Sequence, residues 1–198
     1  ASFDTGVTEA HYYDVIDRKS ASLLSAACEA GAIIGGVTRA ERRRVADFGR
    51  ELGLAFQIKD DALDYDTSAA TLGKQQFADL REGKVTLPLL LTLKRCTHAE
   101  REQVASILKQ AARHAVDPLV RSLTGEGDAA ASDGAEGLDD HAFLPVVDLI
   151  QRHHGVRDAL RRADEHVNQA IEAIAAFPDG PAKHALKSAA VFAVSRER

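Results

Sequence analysis

The sequence contains no tryptophan and no methionine, and only 5% of its residues are aromatic. Runs of β-branched residues are also few, whereas Ala, Leu, Arg, Glu and Asp are abundant, and such a composition favours helices over strands. Positive charge is not in surplus, because the formal net charge is −5 and both signs are mixed along the chain. We therefore predict an all-α protein without the basic surface that binding of DNA or RNA requires.

Cysteines and long apolar runs are scarce as well. Only Cys28 and Cys96 occur, far apart in the sequence, so the chain has neither a disulfide framework nor the short-spaced ligand pairs of a zinc site. No apolar run reaches the roughly 18 to 20 residues that span a bilayer, and the N-terminus lacks the order of a signal peptide. We expect a soluble cytoplasmic protein, not integral to a membrane, in which both cysteines act as small apolar residues.

Apolar residues recur at three- and four-residue steps along most of the chain, a pattern typical of antiparallel helices packed in a bundle. The spacing predicts helices at about 8–34 and 38–65, a third that opens at Thr86, and others at about 98–114, 143–177 (with a break near His154) and 181–195. Thr38 and Glu41 have the spacing of a capping box at the second helix. Two polar stretches interrupt the pattern: a long loop with a short helical turn at 66–83, and a mobile surface insertion at about 125–140.

Four polar residues of the second predicted helix lie on one face. On a helix that advances by about 100° per residue, Gln57, Asp60, Asp61 and Asp64 fall within an arc of roughly 100°. Apolar residues surround this arc, so the carboxylates should face a cavity, where they repel each other unless a cation intervenes. Their oxygens suit Mg²⁺ at sites that handle phosphate esters. The alternative is that the aspartates only solvate a helix end, as acidic clusters often do.

Lysines next to these carboxylates add positive charge. Lys74 and Lys84 each follow a glycine just beyond the acidic face, and Lys19, beside Ser20, interrupts the first apolar helix. Each lysine alone is typical of a solvated surface. Acidic metal ligands combined with lysines suit a diphosphate, whose negative charge bridges the metal and the cations.

These residues belong to a longer pattern. Residues 56–64 read FQIKDDALD, a Gly-Lys pair follows at 73–74, and residues 79–88 read DLREGKVTLP. The pattern resembles the second aspartate-rich region of trans polyprenyl diphosphate synthases, and residues 19–24 (KSASLL) and 196–198 (RER) are similar to two other segments of that family.

The resemblance covers the chain from about residue 8 to its end and is strongest to the octaprenyl and decaprenyl synthases that make quinone side chains. It implies that residues 1–198 are the C-terminal part of one all-helical domain of the isoprenoid synthase fold. The implied reaction condenses isopentenyl diphosphate with an allylic diphosphate to give a longer polyprenyl diphosphate, with Mg²⁺ as cofactor.

Site roles follow from the resemblance, motif by motif. Asp60 and Asp64 would hold Mg²⁺, and Asp61 would support the metal directly or through water. The allylic diphosphate would be held by three lysines, Lys19, Lys74 and Lys84. Gln57 would face the reacting centre, and Ser20, which stands where Thr is usual, would lie near the same pocket; with Lys19 these two form the predicted catalytic group.

The sequence departs from the family at two points. Phe77 and Ala78 stand where a glycine and an acidic residue are usual, a change that bears on the closure or the metal coordination of the loop. The first DDxxD motif does not occur in the 198 residues, so we expect a fragment that is inactive alone and forms a homodimer or associates with its missing N-terminal half. Two alternatives are a non-catalytic helical subunit that pairs with a catalytic chain, and a terpene cyclase or head-to-head condensing synthase on a related fold.

Overall fold

The computed structural model describes residues 7–65, 77–124 and 139–196, with the backbone alone for residues 115–124. Every regular element in these ranges is helical and none is a strand, so the prediction of an all-α chain is confirmed. The α-helices are α1 (Glu9–Ile16), α2 (Ser22–Ile34), α3 (Arg39–Leu63), α4 (Ala78–Arg81), α5 (Leu87–Leu93), α6 (His98–Thr124), α7 (Leu144–Arg152), α8 (Gly155–Ala173) and α9 (Pro181–Ser195).

Contacts divide the chain into two compact units. The central unit contains residues 64–156, and the flanking unit contains residues 8–63 and 157–196. In the described ranges, no helix combines the length and the apolar character needed to cross a bilayer.

The predicted first helix of the flanking unit is not regular throughout. A π-helical segment, Asp17–Ala21, joins α1 to α2 and contains both Lys19 and Ser20. Short π segments inside α-helices occur frequently at functional sites, because the extra residue redirects nearby side chains. The apolar spacing of the sequence predicted a continuous helix here and did not reveal the insertion.

The helix α3 begins with the predicted capping box. The amide of Thr38 donates to the carboxylate of Glu41 at 2.8 Å, and the amide of Glu41 donates to the Thr38 hydroxyl at 3.3 Å. The hydrogen bonds from the side chain and the backbone of Thr38 lower the pKa of Glu41. Because this pKa is lowered on folding, the stabilisation is present above the pKa of an unfolded glutamate and is lost as the pH falls through the lowered value.

Two glycines allow α3 to pass close to the helical segment before it. A Cβ atom at Gly49 would lie 2.5 Å from the carbonyl oxygen of Leu24, and one at Gly53 would lie 2.5 Å from the Cα atom of Ala21. These neighbours are backbone atoms, which cannot move aside as easily as the end of a flexible side chain. The absence of a side chain at Gly53 therefore lets the π-helical segment lie against α3, one turn before Gln57.

We expect Gly53→Ala to lower the free energy of unfolding by roughly 1–3 kcal/mol, because the added methyl group overpacks this contact. Chemical denaturation followed by circular dichroism measures the change. Gly31→Ala in α2 is the matched control, since no atom lies within 4 Å of the added Cβ and alanine has the higher helix propensity. Equal stability of the two variants would contradict the close approach of α3 to Ala21.

The core of the flanking unit lies where apolar residues of α3, α8 and α9 meet. Its buried members are Phe48, Ala55, Val167, Ala170, Ile174 and Ala190. Three of the six are alanines, which let helices approach closely. α9 covers the predicted range, with Pro181 in its first turn, where the missing amide of proline costs no hydrogen bond.

The central unit is built from α4 to α7, with a 3-10 turn at Asp140–Phe143 before α7. Its fully buried core includes Leu80, Leu89, Val104, Leu108, Phe143 and Ile150. Thr86 precedes α5 and Pro88 lies in the first turn of that helix, as predicted. The break near His154 is also confirmed, since this residue has a left-handed backbone (φ 58°) between α7 and α8.

The predicted interruptions fall partly outside the described residues. Of the long loop, residues 66–76 lie outside them, and the predicted helical turn is α4. α6 extends to Thr124, beyond its predicted end near residue 114. Of the predicted surface insertion, residues 125–138 lie outside the described ranges, whereas Asp140 begins the 3-10 turn and pairs with Arg81 at 2.5 Å.

Candidate active site

Two of the predicted motifs meet in the flanking unit. The hydroxyl of Ser20, in the π-helical segment, donates to the side-chain oxygen of Gln57 in α3 at 2.8 Å. The side-chain nitrogen of Gln57 in turn donates to one carboxylate oxygen of Asp61 at 2.8 Å. The resulting line of hydrogen bonds fixes the orientation of the Gln57 amide, because its acceptor and its donor ends each have a partner.

Asp61 has a further partner that the sequence did not suggest. The hydroxyl of Tyr12 donates to the second oxygen of Asp61 at 2.7 Å, and both residues are buried. A buried carboxylate requires such donors, since the loss of water is otherwise expensive. Asp61 is therefore held in place by at least two side chains, Tyr12 and Gln57.

Asp60 pairs with a residue from the end of the described chain. Arg196 donates to one oxygen of Asp60 at 2.5 Å and to the backbone carbonyl of Phe56 at 3.2 Å. The guanidinium group also lies over the ring of Phe56, 3.9 Å from its centroid. Arg196 thus supplies positive charge beside Asp60, at a residue that the sequence predicts to bind a metal ion.

A cavity of about 370 Å³ lies next to these residues in the flanking unit. Its polar lining residues are Lys19 and Ser20, and the remaining lining residues are apolar: Leu23, Leu24, Leu52, Phe56, Ala189, Phe192 and Ala193. Large apolar side chains around it are open to solvent, with Leu23 72% and Phe192 67% exposed. The cavity therefore joins a polar group of residues to an apolar wall.

The third aspartate of the motif, Asp64, belongs to the central unit and is buried. One of its oxygens accepts the amide of Ala78 at 3.1 Å, and the other accepts the amide of Asp79 at 3.0 Å. These amides are in the first turn of α4 and have no partner within that helix. Asp64 therefore caps α4 from a distance of 14 residues along the chain.

Lys84 lies in the central unit with acidic neighbours. Its ammonium group contacts Glu82 at 2.6 Å and Asp79 at 3.3 Å. Partial burial by itself would lower the pKa of Lys84, but the hydrogen bond to Glu82 and the charge of Asp79 outweigh it, so the pKa is raised. Lys84 is therefore a fixed positive charge near neutral pH. Lys74 lies outside the described residues.

Phe77 and Ala78, the two departures from the family pattern, have structural roles. Phe77 is 1% exposed, has a left-handed backbone (φ 58°), and packs its ring against that of Phe143 at 6.4 Å between centroids. The amide of Ala78 donates to Asp64. The segment is anchored in the core of the central unit by an aromatic side chain that the sequence did not identify as buried.

The described structure brings three of the predicted site residues together. Ser20, Gln57 and Asp61 form one hydrogen-bonded group in the flanking unit. Tyr12 and Arg196 complete the environment of the aspartates, and sequence reasoning missed the first and left the second without a role. No local signal marks Tyr12, since it lies 49 residues from Asp61; the basic C-terminus was the only hint of Arg196.

The carboxylates suit a hard divalent cation, and their present partners define how one could fit. Asp60 is partly exposed, whereas Asp61 and Asp64 are buried, so Asp60 is the most accessible of the three predicted ligands. Asp61 and Asp64 each use both oxygens in hydrogen bonds. Carboxylate oxygens have a second lone pair, so a cation can bind without the loss of every one of these bonds.

Comparison with known proteins connects these motifs to one family. A family model described as Polyprenyl synthetase matches residues 1–123. The octaprenyl diphosphate synthase of Haemophilus influenzae is 35% identical over 193 residues, which cover 98% of this chain and 51% of that protein. The chain thus spans about half the length of the curated relatives that it matches.

This chain is also similar to solved structures of prenyl synthases, and it again spans about half of their length. A polyprenyl synthase from Caulobacter crescentus, complexed with calcium and isoprenyl diphosphate, is 35% identical with a TM-score of 0.75 and covers 98% of this chain and 52% of its own. A decaprenyl diphosphate synthase from Rhodobacter capsulatus is 30% identical with a TM-score of 0.79, covering 100% of this chain and 53% of its own. The predicted isoprenoid synthase fold is confirmed by these two structures.

Proposed function

Because the chain belongs to the polyprenyl synthetase family, we propose that it provides one half of the active site of a trans-prenyltransferase that condenses isopentenyl diphosphate with an allylic diphosphate. The observation that carries this proposal is the hydrogen-bonded group of Ser20, Gln57 and Asp61, which joins the two motifs beside a largely apolar cavity that Ser20 lines. A reaction that ionises a diphosphate ester and protects a carbocation needs this combination of polar and apolar surfaces.

We assign the binding of Mg²⁺ to Asp60 and Asp64, with Asp61 as a supporting residue. Bound Mg²⁺ supplies positive charge that stabilises the leaving diphosphate. Asp60 becomes available when Arg196 releases it, whereas Tyr12 and Gln57 keep Asp61 oriented. In this assignment Asp61 supports the metal directly or through water, since each of its oxygens keeps a lone pair beside the present hydrogen bond.

Lysines complete the proposed diphosphate site. Lys19 lines the cavity and is exposed, so its ammonium group is free to reach a substrate phosphate. Lys84 is positively charged near neutral pH, because its pKa is raised. We propose that Lys74, which belongs to the same motif, also binds the diphosphate. The Gln57 amide, held by Ser20, is positioned to orient a substrate group instead of rotating freely.

The apolar wall is proposed to receive the hydrocarbon chain of the substrate. Leu23, Leu24, Leu52 and Phe56 give this cavity an apolar surface. Once the exposed Leu23 is covered by the rest of the active site, this surface would keep water away from a carbocation. By analogy with the octaprenyl and decaprenyl relatives we propose a long polyprenyl product of the kind used for quinone side chains. We further propose that the protein is soluble and cytoplasmic.

One observation favours a second candidate, a non-catalytic helical subunit that pairs with a catalytic chain. Clustered carboxylates that lack positive or hydrogen-bonding partners would be costly for a purely structural protein. Asp60 has Arg196, Asp61 has Tyr12, and Asp64 caps α4, so each carboxylate has a structural partner without a metal. Catalysis and pairing must therefore be distinguished by experiment.

The deciding experiment uses the complete product of the gene. Its intact mass is measured first, and it is then assayed with radiolabelled isopentenyl diphosphate, an allylic primer and Mg²⁺. The enzyme assignment predicts Mg²⁺-dependent labelled products that are longer than the primer. No turnover with any allylic primer, while the protein binds and activates a separate prenyl synthase chain, would favour the non-catalytic subunit instead.

We also propose that the apolar surface of the flanking unit associates with another half, either the remainder of the enzyme or a second copy of this chain. Among the described residues, all but one of the exposed large hydrophobic side chains are in this unit: Val15, Leu23, Ile33, Ile34, Val37, Phe56, Val191 and Phe192. Soluble monomers rarely expose a large contiguous apolar surface.

We therefore expect the purified 198-residue chain to self-associate, and Phe192→Glu to shift it towards the monomer. Sedimentation velocity at several protein concentrations measures the shift. Leu144→Glu is the matched control, because Leu144 is an exposed apolar residue of the central unit, 47% exposed. A chain that is monomeric at all concentrations, or that responds equally to both substitutions, would contradict this assignment of the surface.

A further inference from the structure

Three potential metal ligands meet in the central unit, and none of them belongs to the motifs assigned to prenyl transfer. Cys96 lies between α5 and α6, Glu100 in the first turn of α6, and His153 at the end of α7. One ligand atom from each, a sulfur, a carboxylate oxygen and an imidazole nitrogen, lies within 4.8 Å of the other two. The cluster therefore joins the ends of three helices.

The histidine of this cluster has a buried nitrogen atom without a hydrogen-bond partner among the described residues. The Nε2 atom of His153 is buried, and no described residue makes a hydrogen bond to it. A buried polar atom without a partner is costly and uncommon in folded proteins. The backbone of the same residue is held on both sides, since its amide bonds to Leu149 and its carbonyl accepts from Arg95. The backbone of His153 is thus fixed, while its imidazole can rotate and its Nε2 atom has no hydrogen-bond partner among the described residues.

We propose that Cys96, Glu100 and His153 bind a divalent transition metal ion of the zinc class. Sulfur and imidazole nitrogen are ligands that zinc prefers and that Mg²⁺ and Ca²⁺ do not. Zinc bonds of about 2.0–2.3 Å place tetrahedral ligands roughly 3.3–3.7 Å apart. Binding therefore requires the three atoms to approach one another by about 1 Å, which side-chain rotation can supply.

The present contacts of Glu100 are compatible with this role. Its Oε2 atom accepts from the amide and the hydroxyl of Thr97 in a capping box, and its Oε1 atom faces Arg152 at 3.4 Å. Arg152 has a closer partner, Asp148 at 2.9 Å, so it can leave Glu100 without losing its ion pair. The Oε1 atom then becomes the metal ligand while the cap is retained.

The charges of the three ligands and their number also suit a zinc ion. A Cys96 thiolate and the Glu100 carboxylate neutralise a doubly charged ion, and His153 binds as the neutral imidazole. Three protein ligands leave the fourth tetrahedral position for water. Bound metal would fasten α5, α6 and α7 at one point, so its main consequence is a higher melting temperature of the central unit.

The test is metal binding by the full chain after treatment with a chelator. Zn²⁺ is titrated against a chromophoric competitor in the presence of excess Mg²⁺, which occupies the aspartate sites. We expect one Zn²⁺ per chain with submicromolar affinity. Co²⁺ should give the ultraviolet charge-transfer band of a thiolate ligand in the unsubstituted protein, a readout that does not depend on any variant folding.

Substitutions then identify the ligands. Cys96→Ser and His153→Ala should each weaken Zn²⁺ binding at least tenfold and remove or alter the cobalt band. Glu100→Gln should weaken it while keeping the capping box, since glutamine also serves at that position. Cys28→Ser and His154→Asn are matched controls that should leave binding unchanged.

Two results would overturn the proposal. One is the absence of stoichiometric Zn²⁺ binding and of a thiolate band with Co²⁺ in the unsubstituted chain. The other is binding that persists in Cys96→Ser and is lost in Cys28→Ser, which would place the ligand elsewhere. Neither result bears on prenyl transfer, because the three residues lie outside its proposed site.

Discussion

Replacing Asp60 with alanine is expected to reduce Mg²⁺-dependent prenyl transfer by the complete enzyme at least a hundredfold. In our proposal Asp60 is the most accessible metal ligand, and removing one group that stabilises a developing charge commonly costs about 10²–10³ in turnover. Steady-state assays with isopentenyl diphosphate and an allylic primer measure the loss. Asp47→Ala is the matched control, because Asp47 is an exposed aspartate of the same helix outside the motif.

A second variant separates the two roles of Asp60. If the loss arose from the broken ion pair and not from the metal, Arg196→Gln would reduce turnover by the same factor and with the same dependence on Mg²⁺ concentration. We expect Arg196→Gln to lower the Mg²⁺ concentration needed for half-maximal activity, since the competing cation is removed. Full activity of Asp60→Ala would refute the metal assignment. The 198-residue chain without the rest of the active site should give no turnover.

The largest effect on stability is expected for Asp64→Ala, which should lower the free energy of unfolding by about 2–4 kcal/mol. The substitution leaves the amides of Ala78 and Asp79 without their buried acceptor, and each unpaired donor costs about 1–3 kcal/mol. Urea denaturation followed by circular dichroism measures this. We also expect turnover to fall as in Asp60→Ala, because Asp64 is a proposed metal ligand.

Asp64→Asn distinguishes the capping role from the metal role. Asparagine keeps the shape of the side chain and one acceptor oxygen, so the cap on α4 is partly retained. We expect most of the stability to return while turnover remains low, since the neutral amide is a poor ligand for Mg²⁺. If Asp64→Asn were as unstable as Asp64→Ala, the loss of stability could not be distinguished from the loss of the metal ligand as the cause of low turnover. A stable Asp64→Ala protein would contradict the capping contacts.

The sequence predicted features that depend on short stretches of chain. The capping box at Thr38, the proline-initiated helices at Pro88 and Pro181, and the break at His154 were all predicted and are confirmed. Each depends on backbone amides and side chains within a few residues of one another, so local spacing contains the necessary information. The family resemblance was equally accessible, because its motifs are continuous segments.

By itself, the sequence determined the helical class, the family and the chemical types of the site residues. The tertiary structure alone decided which partner each of them meets. Tyr12 reaches Asp61 across 49 residues, and Arg196 reaches Asp60 across 136. Such pairs form only when helices distant in the chain pack together, and apolar periodicity shows which face a helix buries but not which neighbour covers it.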